Sequence, residues 1–430
     1  AGALTLSGTS NTYSGATTIS NGSLKAGAAN AFSSASAVTV SSGATLDLNN
    51  SNQTIGSLAG AGSVALGSGN LTTGGDGSST AYSGVMSGTG ALVKNGAGSL
   101  TLSGANTYSG GTTLNAGTLA VSNNAALGTG ALTFTGGTTL QAGANSLALS
   151  NNMTLAGVDT FDTQANNTTL SGALTGTGSL TKIGAGALTL SGTSNTYSGA
   201  TTIDAGTLQA GANAAFSAGS ATTVNTGATL NLGGYSETIN ALSLNGGTIT
   251  NGSLAGAITS TGGAISALSG TASLTNSSGT TTLSGTNAYT GATTINGGTV
   301  KGGAASAFSS GSAATVNSSG TLDLGGYNQT VGSIAGQGTI TNTGSADATL
   351  TAGSDGSSTI FSGVIQNGSS KTSALTKAGV GTLTLSGANT YTGATSVNAG
   401  TLQAGANAAF SAGSATTVNT GATLNLGGYS

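Results

Sequence analysis

The chain has 430 residues, 78 of them glycine and none proline; 3% of its residues are charged and the formal net charge is -3. That composition excludes collagen, which needs proline and a Gly-x-y register, and it leaves no window of about 18 unbroken apolar residues to cross a membrane as a helix. Six scattered lysines without arginine make no nucleic-acid footprint, and a chain without cysteine or histidine has no disulfide and no nitrogen or sulfur metal site.

Taken in order, the first predicted elements fall in LTLSGTSNTYSGATTIS at 4–20, followed by SLKAG, AVTV and ATLDL. Each is a brief alternation of apolar and polar residues closed by Gly, Ser or Asn, the mark of half-buried strands joined by tight turns. NNSNQTIGSLAG at 49–60 follows, and a divergent stretch over 130–172 still reads as strands in ALTFTG, TTLQAG, SLALS and NMTLAG. The most regular stretch is AGALTLSGTSNTYSGATTIDAGTLQAG at 185–211. It sets Leu188 and Leu190 on one face and Thr189 and Ser191 on the other, turns around Tyr197, then resumes through Thr201, Ile203, Leu208 and Ala210. Such short strands in a repeated unit predict an all-β coiled solenoid. The same order returns over 188–232 and 283–324, and GGYSETINALS at 233–243 and GGYNQTVGSIAG at 325–336 match 49–60. Residues 207–236 are identical to 401–430, and 1–19 to 185–203, so the chain is expected to be a piece of a longer repetitive one.

One tyrosine marks each super-repeat: Tyr13, Tyr108, Tyr197, Tyr289 and Tyr391, roughly 90–100 residues apart. No linker interrupts the pattern, so 1–430 is expected to form a single continuous β-helix of about five super-repeats. Leu, Ile, Val and Ala would line its interior, with Thr, Ser and Asn in outer ladders. At roughly 20 residues per coil and about 4.8 Å per rung, it would be a rod on the order of 100 Å long. Low net charge and recurrent aliphatic residues oppose disorder.

Candidate chemistry is sparse. Asp159 and Asp162 form the one close carboxylate pair, which a glycosidase would need across a groove, but turn capping by aspartate is the better reading. Asp47 and Asp323 align with Asn231, and Asp204 aligns with Ser20, Asn115, Asn296 and Asn398. An acid that alternates with an amide has no proton chemistry to perform. Lys25 and Lys301 stand where other copies have Gln209, Gln403 and Ala120, which suits a solvent-facing strand position. Lys94, Lys182 and Lys377 share one place, held by Asn276 in the fourth copy, and are expected to be surface charges. Gly-Gly-Asp-Gly at 74–77 and Gly-Ser-Asp-Gly at 353–356 read as tight turns rather than calcium repeats, since each brings a single carboxylate. The five marker tyrosines are possible surface contacts that could stack on sugars. Their Asn-Thr and Ser-Gly neighbours favour rings that fold over their own loops.

The stretches TKIGAGALTLSGTSNTYSGATTIDAGTL at 181–208, VKNGAGSLTLSGANTYSGGTTLNAGTL at 93–119 and TKAGVGTLTLSGANTYTGATSVNAGTL at 376–402 resemble the autotransporter-associated β-strand repeat. That repeat occurs in passenger domains of large bacterial autotransporters and related surface proteins. The resemblance implies a right-handed parallel β-helix exported from a Gram-negative cell, often surface-attached and adhesive. The expectation is thus a non-enzymatic structural or adhesive rod, extracellular, with no cofactor. Its partners would be host or matrix glycans and proteins, or further copies of itself joined into fibres at strand edges. No nucleic acid and no membrane insertion are expected. Two alternatives differ in class: a module binding ice or another ordered lattice through threonine arrays, and a polysaccharide-degrading enzyme using Asp159 and Asp162.

Overall fold

Strand alternation decides which side chains go inward. In Ala187–Leu190, Leu188 and Leu190 are buried while Ala187 and Thr189 are half-exposed, and Thr201–Ile203 and Gly206–Ala210 follow the same rule. A strand this short cannot stand alone, and its partners lie one coil away along the chain. Leu188 pairs in parallel with Leu208 ahead of it and with Thr168 behind it.

The computed structural model describes residues 2–429, and among them there is no helix and every strand pairing is parallel. This is the expected β-solenoid. The chain divides into two compact units, Ala1–Ser220 and Ala221–Ser430.

In the first unit one ladder runs through Gln53–Thr54, Leu71–Thr73, Leu92–Lys94, Thr112–Leu114, Leu132–Phe134, Met153–Leu155 and Leu174–Gly176. Each step advances the chain by about one coil, so Leu71, Leu92, Leu132, Met153 and Leu174 stand in one buried column. The divergent region keeps this register. Its bulk comes from Phe134 and Phe161, buried rings whose centroids lie 5.4 Å apart with a 45° tilt.

The second unit has coils of more varied length. Ile258 pairs with Leu274, where turns are trimmed and strand runs unbroken over Ser236–Ser269. Leu350 pairs with Leu375, where an extra loop precedes Ser373–Lys377. The interior tolerates this variation because only the inward positions of each rung must register. Across both units the core is mainly Leu, Ile, Val and Ala with a few aromatic rings; most outward strand positions hold Thr, Ser or Asn, while Thr112, Thr201, Asn276, Thr293 and Thr395 are polar residues on inward positions.

Candidate functional site

The outer face of the first-unit ladder is a single column. Thr54, Thr72, Val93, Thr113, Thr133, Thr154 and Thr175 are register partners in succession, each exposed or half-exposed, and all but Thr175 stand between two inward neighbours. The second unit repeats the device with Thr330, Thr351, Thr376, Ser396 and Thr417. Threonine suits the place because its β-branch favours the strand while its hydroxyl stays wet. Beside the first column Asn115 Nδ2 donates to Asn95 Oδ1 at 2.8 Å, and elsewhere Asn317 and Asn419 do the same to Asn296 and Asn398, at 2.7 Å each. The surface these columns make is polar and nearly uncharged.

The marker tyrosines are organised by Asn-x-Tyr-x-x-x-Thr. Tyr108, Tyr197, Tyr289 and Tyr391 are buried, and each hydroxyl meets the threonine four residues on, Thr112, Thr201, Thr293 and Thr395, at 2.5 to 2.8 Å. In three of them the threonine then meets a serine of the next coil, Ser220, Ser312 or Ser414, which donates to the carbonyl of Gly199, Gly291 or Gly393. Tyr13 keeps the pattern loosely, 3.5 Å from Thr17, and is 38% exposed. A sugar contact at the four buried rings would require their loops to open, whereas Tyr13 offers an accessible edge. The asparagine two residues before each of the four buried marker tyrosines ties three coils together. Asn195 accepts from Leu174 N at 2.7 Å and donates to Ala215 O at 2.5 Å; Asn106, Asn287 and Asn389 do likewise.

Lys94, Lys182 and Lys377 correct the expectation of surface charge: all three are buried, at 1% exposure or less. Lys94 shares the inward column with Thr73 and Leu114, as the alternation of Leu92 and Lys94 requires. Each ammonium donates three hydrogen bonds to carbonyls. Lys94 reaches Asn95, Gly96 and Ala116 at 2.8, 2.9 and 3.2 Å; Lys182 reaches Ile183, Gly184 and Ala205 at 2.9, 2.8 and 3.0 Å; Lys377 reaches Ala378, Gly379 and Ala399 at 2.6, 2.8 and 3.2 Å. Burial pulls all three below the ordinary lysine range, Lys182 to about 8, against the opposing charges of Asp76, Asp162 and Asp355. The Lys-x-Gly-x-Gly spacing follows from this turn. At the first glycine of the turn, Gly96 or Gly379, a Cβ would lie 1.9 or 2.0 Å from the carbonyl of Gly74 or Gly353. The signal that locates these lysines in the core is their phase in the strand, which outranks the usual exposure of the residue type.

The carboxylates behave as turn formers. Asp47, Asn231, Asp323 and Asn425 each accept from the amide two residues on, at 2.8 to 3.0 Å, so acid and amide serve alike. Asp76 and Asp355 do the same to Ser78 and Ser357. Asp159 and Asp162 lie in the strand Val158–Asp162 rather than in a loop. Asp159 accepts from Thr138 Oγ1 and Ala156 N at 3.0 and 3.1 Å, and burial raises its carboxyl. Asp162 accepts from Gln164 N at 2.8 Å and from the side chains of Gln141 and Gln164. Lys25 and Lys301 stand half-exposed on the outside, 3.7 and 3.3 Å from Asp47 and Asp323. Burial would raise the Asp323 carboxyl, but hydrogen bonds from Thr343 and Gly325 together with the Lys301 charge hold it below its ordinary value. No cluster of three or more metal-ligating acids occurs among the described residues.

The family described as Passenger-associated-transport-repeat matches residues 1–26, 92–121, 126–144, 180–210, 275–301 and 375–404. These segments hold the Asn-x-Tyr and lysine turns described above. Among curated proteins, the chain is similar to the adhesin BmaC autotransporter of Brucella suis biovar 1 (strain 1330), 52% identical over 59 residues. That match spans 14% of this chain and 2% of the relative's length. No solved structure gives a significant match.

Proposed function

We propose that this chain, a repeat protein of the autotransporter passenger type, is a non-enzymatic structural and adhesive segment displayed outside a bacterial cell, as part of a stalk, matrix or filament. The observation that supports this most is the outer threonine column, repeated coil after coil at a spacing of about 4.8 Å and flanked at two coils by the Asn95–Asn115 pair. One such contact is weak. Many in register on one body give avidity for a repetitive partner such as a glycan or matrix protein.

Beads coated with the chain should adhere to glycan- or matrix-coated glass more strongly than beads carrying Thr113→Asp, Thr133→Asp and Thr154→Asp together. Equal attachment, with both proteins folded by circular dichroism, refutes the adhesive surface. The repeats also imply one continuous solenoid over 1–430, so limited proteolysis should find no preferred cut near 220. A lattice-binding role draws on the same column, but that column is interrupted by Val93 and its neighbours mix Asn95, Asn115 and Thr135. Absence of thermal hysteresis would remove it. Enzymatic use of Asp159 and Asp162 predicts polysaccharide cleavage lost in Asp159→Asn; the burial of Asp159 between Thr138 and Ala156 speaks against such a role.

A further inference from the structure

An ammonium has three protons to donate, and at Lys94, Lys182 and Lys377 all three are used on carbonyl oxygens. Two of these oxygens belong to the turn just after the lysine and the third to the following coil. A carboxylate from the preceding coil, Asp76, Asp162 or Asp355, adds negative charge within electrostatic reach. Convergent backbone carbonyls backed by a carboxylate are what dissolved cations bind elsewhere in proteins. Asn276, at the same place in the fourth super-repeat, is built differently. Its Nδ2 donates to one carbonyl, Gly297 O at 2.7 Å, its Oδ1 accepts from Thr281 at 2.6 Å, and the Thr281 hydroxyl meets Ser260. There hydroxyls and an amide replace the charge.

We propose that each lysine turn is a cation site whose resident cation is the covalently held ammonium, and that a free monovalent cation of the ammonium or potassium type occupies it once the side chain is shortened. In the intact chain the ammonium that donates to carbonyls of two coils cannot dissociate. Asp76 and Asp355, the carboxylates of the two Gly-x-Asp-Gly turns, therefore face an ammonium, and calcium added beside them would be repelled by it. Asn276 marks the turn where the fold does without a cation.

The test is thermal unfolding of the 430-residue chain carrying Lys94→Ala or Lys94→Met, followed by circular dichroism in ammonium, potassium or choline chloride at equal ionic strength. Both variants should melt below the parent in choline chloride. Ammonium or potassium should raise the midpoint of Lys94→Ala, increasingly with the logarithm of concentration as binding linkage requires. Neither salt should raise Lys94→Met, whose side chain fills the space, nor Asn276→Ala, whose turn holds no charge. A Lys94→Ala midpoint that is the same in all three salts overturns the proposal, as does equal recovery of Lys94→Met. Should Lys94→Ala fail to fold in choline chloride, refolding in ammonium or potassium chloride supports the site, and failure in all three salts overturns it.

Discussion

The turn at Lys182 and the turn at Asn276 occupy the same place in two super-repeats and meet one requirement with different chemistry. Both must put a donor inside the coil to satisfy a carbonyl of the next rung, Ala205 in one case and Gly297 in the other. Lysine supplies three donors and a charge, and it brings glycine two and four residues on, where the turn presses on the coil behind. Asparagine supplies a neutral amide, enlists Thr281 and Ser260, and is followed by Ser277 and Ser278, both exposed. The charge is thus dispensable to the fold, and the donor is not.

The largest effect should separate the two turns at the second position after the donor. Gly379→Ala puts a Cβ 2.0 Å from Gly353 O at a residue with φ of 65°, and should cost about 4 kcal/mol in denaturant unfolding. Ser278→Ala, its counterpart in the asparagine turn, should stay within about 0.5 kcal/mol. If the two substitutions cost the same, close backbone approach is not what fixes glycine in the lysine turn.

Next in size, Lys182→Met leaves three part-buried carbonyls without their donor and should lose about 3 kcal/mol, whereas Lys182→Asn should recover part of that loss by reaching Ala205 as Asn276 reaches Gly297. Chemical denaturation of the two variants side by side ranks them. The reverse order would mean that a single amide donor does not serve this turn as it serves the one at Asn276.

The tyrosine network is common to both kinds of super-repeat and should respond alike. Tyr197→Phe and Tyr289→Phe each remove one hydroxyl from a threonine–serine chain and should each cost about 1 kcal/mol. A marked inequality would show that the lysine turn and the tyrosine loop are coupled.

A pH dependence sets the charged turn apart from the neutral one. The Lys182 ammonium is held less tightly in the folded chain, at about 8, than in the unfolded one at 10.5, so the unfolded chain binds more protons in between and stability rises with pH through that window. Buried tyrosines act oppositely from about pH 10: burial pushes Tyr108 and Tyr289 up to about 12, so the unfolded chain loses those protons first and stability falls. Melting curves from pH 7 to 11 should therefore rise and then turn over, and Lys182→Asn should flatten the rise. A rise unchanged in Lys182→Asn would assign it to another group.

Much was legible in the residues alone. The alternation in stretches such as LTLSG and TTI assigned the inward faces, and the recurrence of one motif implied stacked parallel coils, since a three-residue strand finds stability only in neighbours of its own kind. Comparison of Asp47 and Asp323 with Asn231 showed that their place calls for a turn former, and each caps an amide. At the interior lysines residue type and strand phase point opposite ways, and phase prevails. Lys182 sits two residues after Leu180, and that spacing already pointed it inward.

Sequence by itself determined the periodic fold, because the one-coil repeat and the two-residue strand period are both local patterns. Only the tertiary structure decided where the polar atoms of the motif go. Asn195 bonds to Leu174 and Ala215, the Thr201 hydroxyl to Ser220, and the Lys182 ammonium to Ala205, all roughly 20 residues distant. Such partners become neighbours only when coils stack, and a hydrogen bond between rungs depends on that stacking rather than on either residue alone.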